Sequence, residues 1–192
     1  MPDPNPAALE FLLNRRSRPA KTLGLPVPNR DELTPILTAA ARTPDHGKLE
    51  PWRFVILGRD ALLRLADLAE MRGRALGLTE DLIYKGQVPF RHGNLAVAVV
   101  EVQKPSEKIP ALEQTYSAGA VCLALLNAAL AAGWGANWLS GWPSHDREFM
   151  AVGLNIEPHE RIAGFIHIGT ETSAPPERPR PDLNTITSWI DT

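Results

Sequence analysis

Four stretches concentrate the side chains that could do chemistry. Asn14-Arg-Arg-Ser-Arg-Pro-Ala-Lys21 packs three arginines, a serine and a lysine into eight residues. Guanidinium forks match phosphate oxygens bidentately and a hydroxyl adds a neutral donor, so the segment is a candidate anion clamp. The plainer use of cations at a helix end is to oppose its dipole. Glu177-Arg-Pro-Arg-Pro181 is a second basic element; alternating prolines extend the backbone, so Arg178 and Arg180 point the same way, whether toward an anion or into solvent. In Arg42-Thr-Pro-Asp-His-Gly-Lys-Leu-Glu-Pro51, two prolines stiffen a turn carrying His46 and Lys48, donors that could face a ring or an anion. Gly133-Trp-Gly-Ala-Asn-Trp-Leu-Ser-Gly-Trp142 interleaves three tryptophans with glycines, a composition suited to backbone approaching something flat.

The missing patterns narrow the chemistry. There is no phosphate-loop Gly-Lys-Ser/Thr, no Gly-x-Gly-x-x-Gly after a strand, and no Gly-x-Ser-x-Gly elbow. The five histidines are scattered without ligand spacing, so no metal site is expected. The single cysteine, Cys122, sits among apolar residues and reads as core packing. No side chain stands out as nucleophile, acid or base, and no catalytic residue is assigned. An anion clamp, a donor-bearing loop and a flat-surface loop together suit a cofactor that brings its own reactivity, and a flavin mononucleotide fits that description.

These segments need a scaffold. Pro6 to Asn14 reads as a short helix with proline at its first position. Asn29-Arg-Asp-Glu32 is a capping box for a helix reaching about Arg42. Trp52 to Leu57 is a strand, Asp60 to about Ala75 an amphipathic helix, and Thr79 caps a further short helix. Leu95 to Val102 is continuously apolar and β-branched, as a strand covered on both faces would be. The longest helix runs from about Glu113 to Ala132, followed by strands at Ala136 to Leu139 and Arg161 to Gly169, with a short helix over Asp146 to Val152 between them. Alternating strands and long helices argue for an α/β or α+β layered domain.

A chain of 192 residues is one domain, with residues 170–192 as a C-terminal arm ending in the strand-like Thr185-Ile-Thr-Ser-Trp-Ile190. Such an arm can cross to another subunit. In the long helix, Ala118, Cys122, Leu125, Ala129 and Ala132 recur at spacings of four and three, either a seam for a second copy or the face that packs on its own sheet. Arm and helix together favour a homodimer.

The net charge of -2 gives no reason to expect nucleic acid or an anionic membrane as partner. Ala118 to Ala136 approaches the ~20 residues of a membrane span. It holds Asn127 and three glycines and lacks flanking cations, so a buried helix is expected instead. The first sixteen residues carry acid and proline where a leader peptide needs positive charge, and a cytoplasmic protein is expected.

Arg15-Arg-Ser17, then Arg42-x-Pro-Asp-His46 with Pro51-Trp-Arg-Phe54, then Trp138-Leu-Ser-Gly141 after a small-residue helix, is an order that resembles the nitroreductase family, from about Leu9 to Leu183. The resemblance implies an α+β three-layer sandwich, a mixed sheet flanked by helices, in an intertwined homodimer with FMN at the interface. It implies that Arg15, Arg16 and Ser17 hold the FMN phosphate and ribityl chain and that Arg42 and His46 reach across from the partner. Trp138, Leu139 and Ser140 would lie along the ring, with Arg180 at the phosphate and Ala128 to Gly133 meeting the nicotinamide. The implied activity is ping-pong hydride transfer from NAD(P)H through flavin N5 to a small electron-poor acceptor, a nitroaromatic or quinone. A flavin-binding redox sensor or carrier, or dehalogenation or dehydrogenation on the same scaffold, are the alternatives. Two residues depart from the family pattern: Glu50, where many relatives have glutamine, and Leu139, where some carry arginine.

Overall fold

A computed structural model describes residues 3–191 of the chain. Among these residues are seven α-helices and five strands, in the order α1 (Pro6–Asn14), β1 (Leu23–Gly24), α2 (Arg30–Ala40), β2 (Trp52–Gly58), α3 (Arg59–Ala75), α4 (Glu80–His92), β3 (Leu95–Val102), α5 (Ala111–Ala131), β4 (Gly135–Leu139), α6 (Arg147–Leu154), β5 (Glu160–Glu171) and α7 (Leu183–Ile186). The capping box forms as its sequence demands. Asn29 Oδ1 accepts from the amides of Asp31 and Glu32, and Glu32 accepts from the Asn29 amide.

β3 and β4 flank β5, since His167 on β5 pairs with both Ala96 and Asn137, and β2 lies beyond β3. All these ladders are antiparallel, and so is the short β1–β5 pairing, where a mixed sheet was expected. The connections explain it. Two helices, α3 and α4, separate β2 from β3, so the chain returns to the end it left and runs back alongside. A single helix, α5, joins β3 to β4, which therefore run parallel to each other, but β5 is inserted between them.

Every residue of β3 is buried. Ala96, Ala98, Val100 and Val102 join Leu62, Leu65, Phe90, Phe149 and Phe165 under α3, α4 and α6. Leu95, Val97 and Val99 join Leu33, Ile36, Val121, Leu125, Ile166 and Ile168 under α2 and α5. The domain is thus a three-layer α+β sandwich. A bulge opposite Val99 and Val100 leaves Ala163 unpaired and reverses which face of β5 each later residue takes.

The small-residue seam of α5 is consumed inside the chain: Ala118, Cys122, Leu125 and Ala129 are fully buried against the sheet and α2. Burial pushes the Cys122 thiol up to about 12, which leaves it a packing group. α5 is long and apolar enough to cross a membrane, with 44% of its most apolar window buried in this domain. Its opposite face leaves Leu112, Tyr116 and Leu123 exposed, as α1 leaves Leu9, Leu12 and Leu13.

The terminal hexapeptide is not a strand in the single chain. Asp182 accepts from the Asn184 amide and starts the one-turn α7, and Thr187–Asp191 continue without regular structure. Leu183, Ile186, Trp189 and Ile190 all stand in solvent, Trp189 at 86% exposure.

Candidate functional site

α1 ends at Asn14, and the following segment runs along the outer edge of β4, where the Arg18 amide donates to the Ala136 carbonyl at 2.8 Å. This single pairing sets the Arg-Arg-Ser segment beside the tryptophan-rich strand. Arg15 donates to the Ser17 hydroxyl at 3.2 Å. Arg16 reaches the tail, donating to the Pro176 carbonyl at 2.6 Å and lying 3.4 Å from Glu177. Arg180 pairs with the same Glu177 at 3.2 Å. Arg18 Nε lies 3.0 Å from Glu171 Oε2, within ion-pair range but not aligned for a hydrogen bond.

Three guanidiniums, from Arg16, Arg18 and Arg180, thus share two carboxylates, and Arg15 pairs with neither. Burial lowers the pKa of Arg15, and the charges of Arg180, Arg16 and Arg18 lower it further. Its Nε is buried with no protein acceptor. A partly buried cation surrounded by cations gains from a neighbouring anion, so the cluster is a candidate anion site. The cleft here, about 350 Å³, is lined by Arg15, Arg16, Arg18, Leu130, Gly133 and Trp134 among others. Gly133 sits at φ 87 just past α5, a left-handed turn that glycine adopts freely. The arginine segment and part of the Ala128–Gly133 stretch therefore face one space.

Two residues beyond Ala136, Trp138 is 37% exposed on the α5 side of the sheet. Its indole lies over Gly164, at the bulge, where any Cβ would overlap the ring. A glycine inside a strand often marks such a close approach, and that signal was available in Ile162-Ala-Gly-Phe165. Leu139 is half-buried and Ser140 exposed.

Arg42 and His46 are elsewhere. The loop after α2 is fastened to the first half of α5: Ser117 donates to the Pro44 carbonyl at 2.9 Å, and Trp52 donates to Ser117 at 3.2 Å. Gly47, Lys48 and Glu50 all have positive φ, and the Glu50 amide donates to Asp45 at 2.6 Å. His46 Nδ1 lies 2.6 Å from Glu113, so the histidine expected to face a ring is engaged with a carboxylate in this chain. A second cleft, of about 530 Å³, is lined by Pro44, Asp45, His46, Glu113, Tyr116, Ser117 and Ala120. Between Glu113 and Leu130, which line the two clefts, seventeen helical residues span ~25 Å. One chain therefore brings Arg15, Arg16, Ser17 and Arg180 together alongside β4, with Leu139 and Ser140 lining a separate cavity, and holds Arg42 and His46 near the far end of α5.

Among the described residues no cluster of three His, Cys, Asp or Glu side chains could hold a metal.

Residues 14–170 match the Nitroreductase family profile. An Escherichia coli (strain K12) protein named "Putative NAD(P)H nitroreductase YdjA" is 34% identical over 164 residues, 85% of this chain and 87% of its own. A nitroreductase-like family protein from Bacillus cereus superposes with a TM-score of 0.76 at 22% identity, covering all of both chains. A Desulfovibrio desulfuricans structure, described as a "putative nitroreductase in complex with fmn", superposes with a TM-score of 0.74 at 18% identity over 98% of this chain and 99% of its own.

Proposed function

The chain belongs to the nitroreductase family, and on that premise we propose that it is an FMN-dependent oxidoreductase taking hydride from NAD(P)H. The observation that carries the reading is the surplus of arginine beside β4: a half-buried Arg15 whose Nε has no protein acceptor, crowded by Arg16, Arg18 and Arg180.

When bound, FMN supplies the redox chemistry, exchanging hydride at N5 with NAD(P)H and with a nitroaromatic or quinone-like acceptor in two separate half-reactions. The chain's own residues bind and orient. Arg15, Arg16 and Arg180 neutralise the phosphate, and the Ser17 hydroxyl adds a neutral hydrogen bond. The strand end at Trp138, Leu139 and Ser140 forms one wall for the ring, the Trp138 indole seated over Gly164 on the α5 side and Leu139 turned to the opposite face. With leucine at 139 the strand end carries no cation, which favours uncharged acceptors over anionic ones. Leu130 and Gly133 leave room for the nicotinamide beside the same cleft.

Arg42 and His46 complete the site from a second copy. A two-fold axis near the middle of α5 places the 42–46 loop of one chain, ~25 Å from its own arginine cleft, at the cleft of the other. The exposed Leu112, Tyr116 and Leu123 on α5 supply the apolar contact, and the arm, held to its own chain through Glu177, crosses beyond Arg180 and so covers Leu183, Ile186, Trp189 and Ile190. The protein is cytoplasmic on this reading.

Anaerobic mixing of the purified holoprotein with NADH or NADPH tests the activity. Rapid loss of the oxidised flavin's visible band supports an oxidoreductase; a protein that stays yellow is a flavin carrier. Replacing Arg15 and Ser17 together by alanine should release FMN while the fold persists.

A further inference from the structure

His167 is buried to 2% exposure on β5, yet neither of its ring nitrogens has a hydrogen-bond partner in the protein. Burial pushes its pKa down to about 4, so the ring is neutral at pH 7 and carries one N–H donor and one bare acceptor. Each buried polar group left unbonded carries an uncompensated desolvation cost, which a marginally stable domain rarely tolerates. The ring cannot swing out to find a partner. Gly93 packs against it so closely that an added Cβ would lie 3.0 Å from Nδ1, and the ladder to Ala96 and Asn137 fixes the backbone.

A cavity of about 30 Å³ adjoins the imidazole. Pro89, Phe90, Leu139 and Phe165 make its mostly apolar walls, Ser140 and Ser144 also line it, and the Ser144 amide is already bonded to the Gly141 carbonyl at 2.9 Å. Gly86 admits the Trp142 indole, which donates to the Leu82 carbonyl at 3.0 Å and braces that loop. A water needs ~10–15 Å³ and two to four polar partners; the volume suffices, and His167, Ser140 and Ser144 are the uncharged polar side chains that line it. Lys85, at its margin, is already paired with Asp81 at 2.6 Å.

We propose that the cavity beneath the Leu139–Gly141 turn is a binding site for a water-sized molecule that both donates and accepts, linking the His167 imidazole to the serine-bearing loop at 140–144. A neutral ring with one donor and one acceptor selects water over a small cation or anion. The link fixes the turn from behind, which makes His167 a positioning residue for the wall at 138–140; this consequence rests on the reading that the wall faces a flavin.

The test compares wild type, His167→Leu and His167→Gln as full-length purified protein, with and without added FMN. Amide hydrogen exchange at Ser140, Gly141 and Ser144 is the first readout. Leucine should accelerate it about tenfold, the equivalent of one buried hydrogen bond, and glutamine, which keeps a donor and an acceptor, should restore most of the protection. Exchange in the middle of α5 should be equal in all three. A nuclear Overhauser contact from the His167 ring protons to a long-lived water is expected in wild type only. Unchanged exchange in His167→Leu, failure of glutamine to restore protection, or absence of the water contact would each overturn the site. FMN affinity, expected to weaken in His167→Leu and recover in His167→Gln, reports the link to the wall. A wild type that binds no FMN would remove the functional reading and leave the exchange result to decide this one.

Discussion

Acid should destabilise this fold earlier than its carboxylates alone would allow, because of His167. An unfolded chain protonates the imidazole near 6.5, whereas the folded site admits a proton only near 4. Between those values the unfolded state binds more protons, so stability is complete above about pH 6.5 and falls as the pH drops toward 4. The full difference corresponds to about 3 kcal/mol, of which about 2.5 kcal/mol is already lost at about pH 4.5. The comparison is with His167→Leu, which has no group to titrate there. Urea midpoints for both proteins, at one fixed protein concentration and at steps from about pH 7.5 to 4.5, give the difference directly. Other groups cancel in that subtraction. Wild type should lose about 2.5 kcal/mol more than the variant by the lower limit. Parallel pH profiles would show that the imidazole protonates in place, and the argument from its burial would fail.

Other consequences can be checked alongside. Arg53 makes two 2.7 Å bonds to Glu160, which these bonds hold down to about 2, so the pair persists until well below the usual carboxylate range. Arg53→Met should cost about 1–2 kcal/mol at pH 7 by denaturant unfolding, Arg53 being partly solvated, and less as Glu160 is protonated in acid. Gly164→Ala should drive the Trp138 indole from its seat at a cost of about 1–3 kcal/mol, with altered tryptophan fluorescence and a shifted visible flavin spectrum. Aspartate at Trp189 and Ile190 together should lower the apparent mass in sedimentation while leaving the helical circular dichroism intact, since both side chains are bare in the single chain.

Local signals were legible wherever local physics decided the outcome. The Asn29 capping box, the proline-led helix ending at Asn14 and the uniformly apolar Leu95–Val102 all formed as read, because neighbouring residues satisfy or cover them. α4 ran to 13 residues, longer than expected, because Pro89 inside it did not end it and Gly86 serves a packing contact with Trp142. The tail was read as strand-like from its apolar hexapeptide, but a strand needs an edge, and Asp182 offers a competing helical cap. Whether the α5 seam faced its own sheet or a second chain could not be decided from spacing, since both uses want the same small residues. His46–Glu113, Arg16–Glu177 and the burial of His167 depend on positions far apart in sequence, and only the folded chain brings them together.

The central claim is that two chains share each flavin site, one supplying Arg15 and Ser17 and the other Arg42 and His46. Subunit complementation tests it most directly. Arg15→Ala/Ser17→Ala and Arg42→Ala/His46→Ala variants, each produced alone, should be depleted of FMN. Co-expressed with separate tags and isolated as the mixed dimer, they should regain flavin at one of the two sites, because one intact set of contacts is rebuilt. A mixed dimer as colourless as its parents, or an Arg42→Ala/His46→Ala protein fully loaded with FMN on its own, would contradict the account.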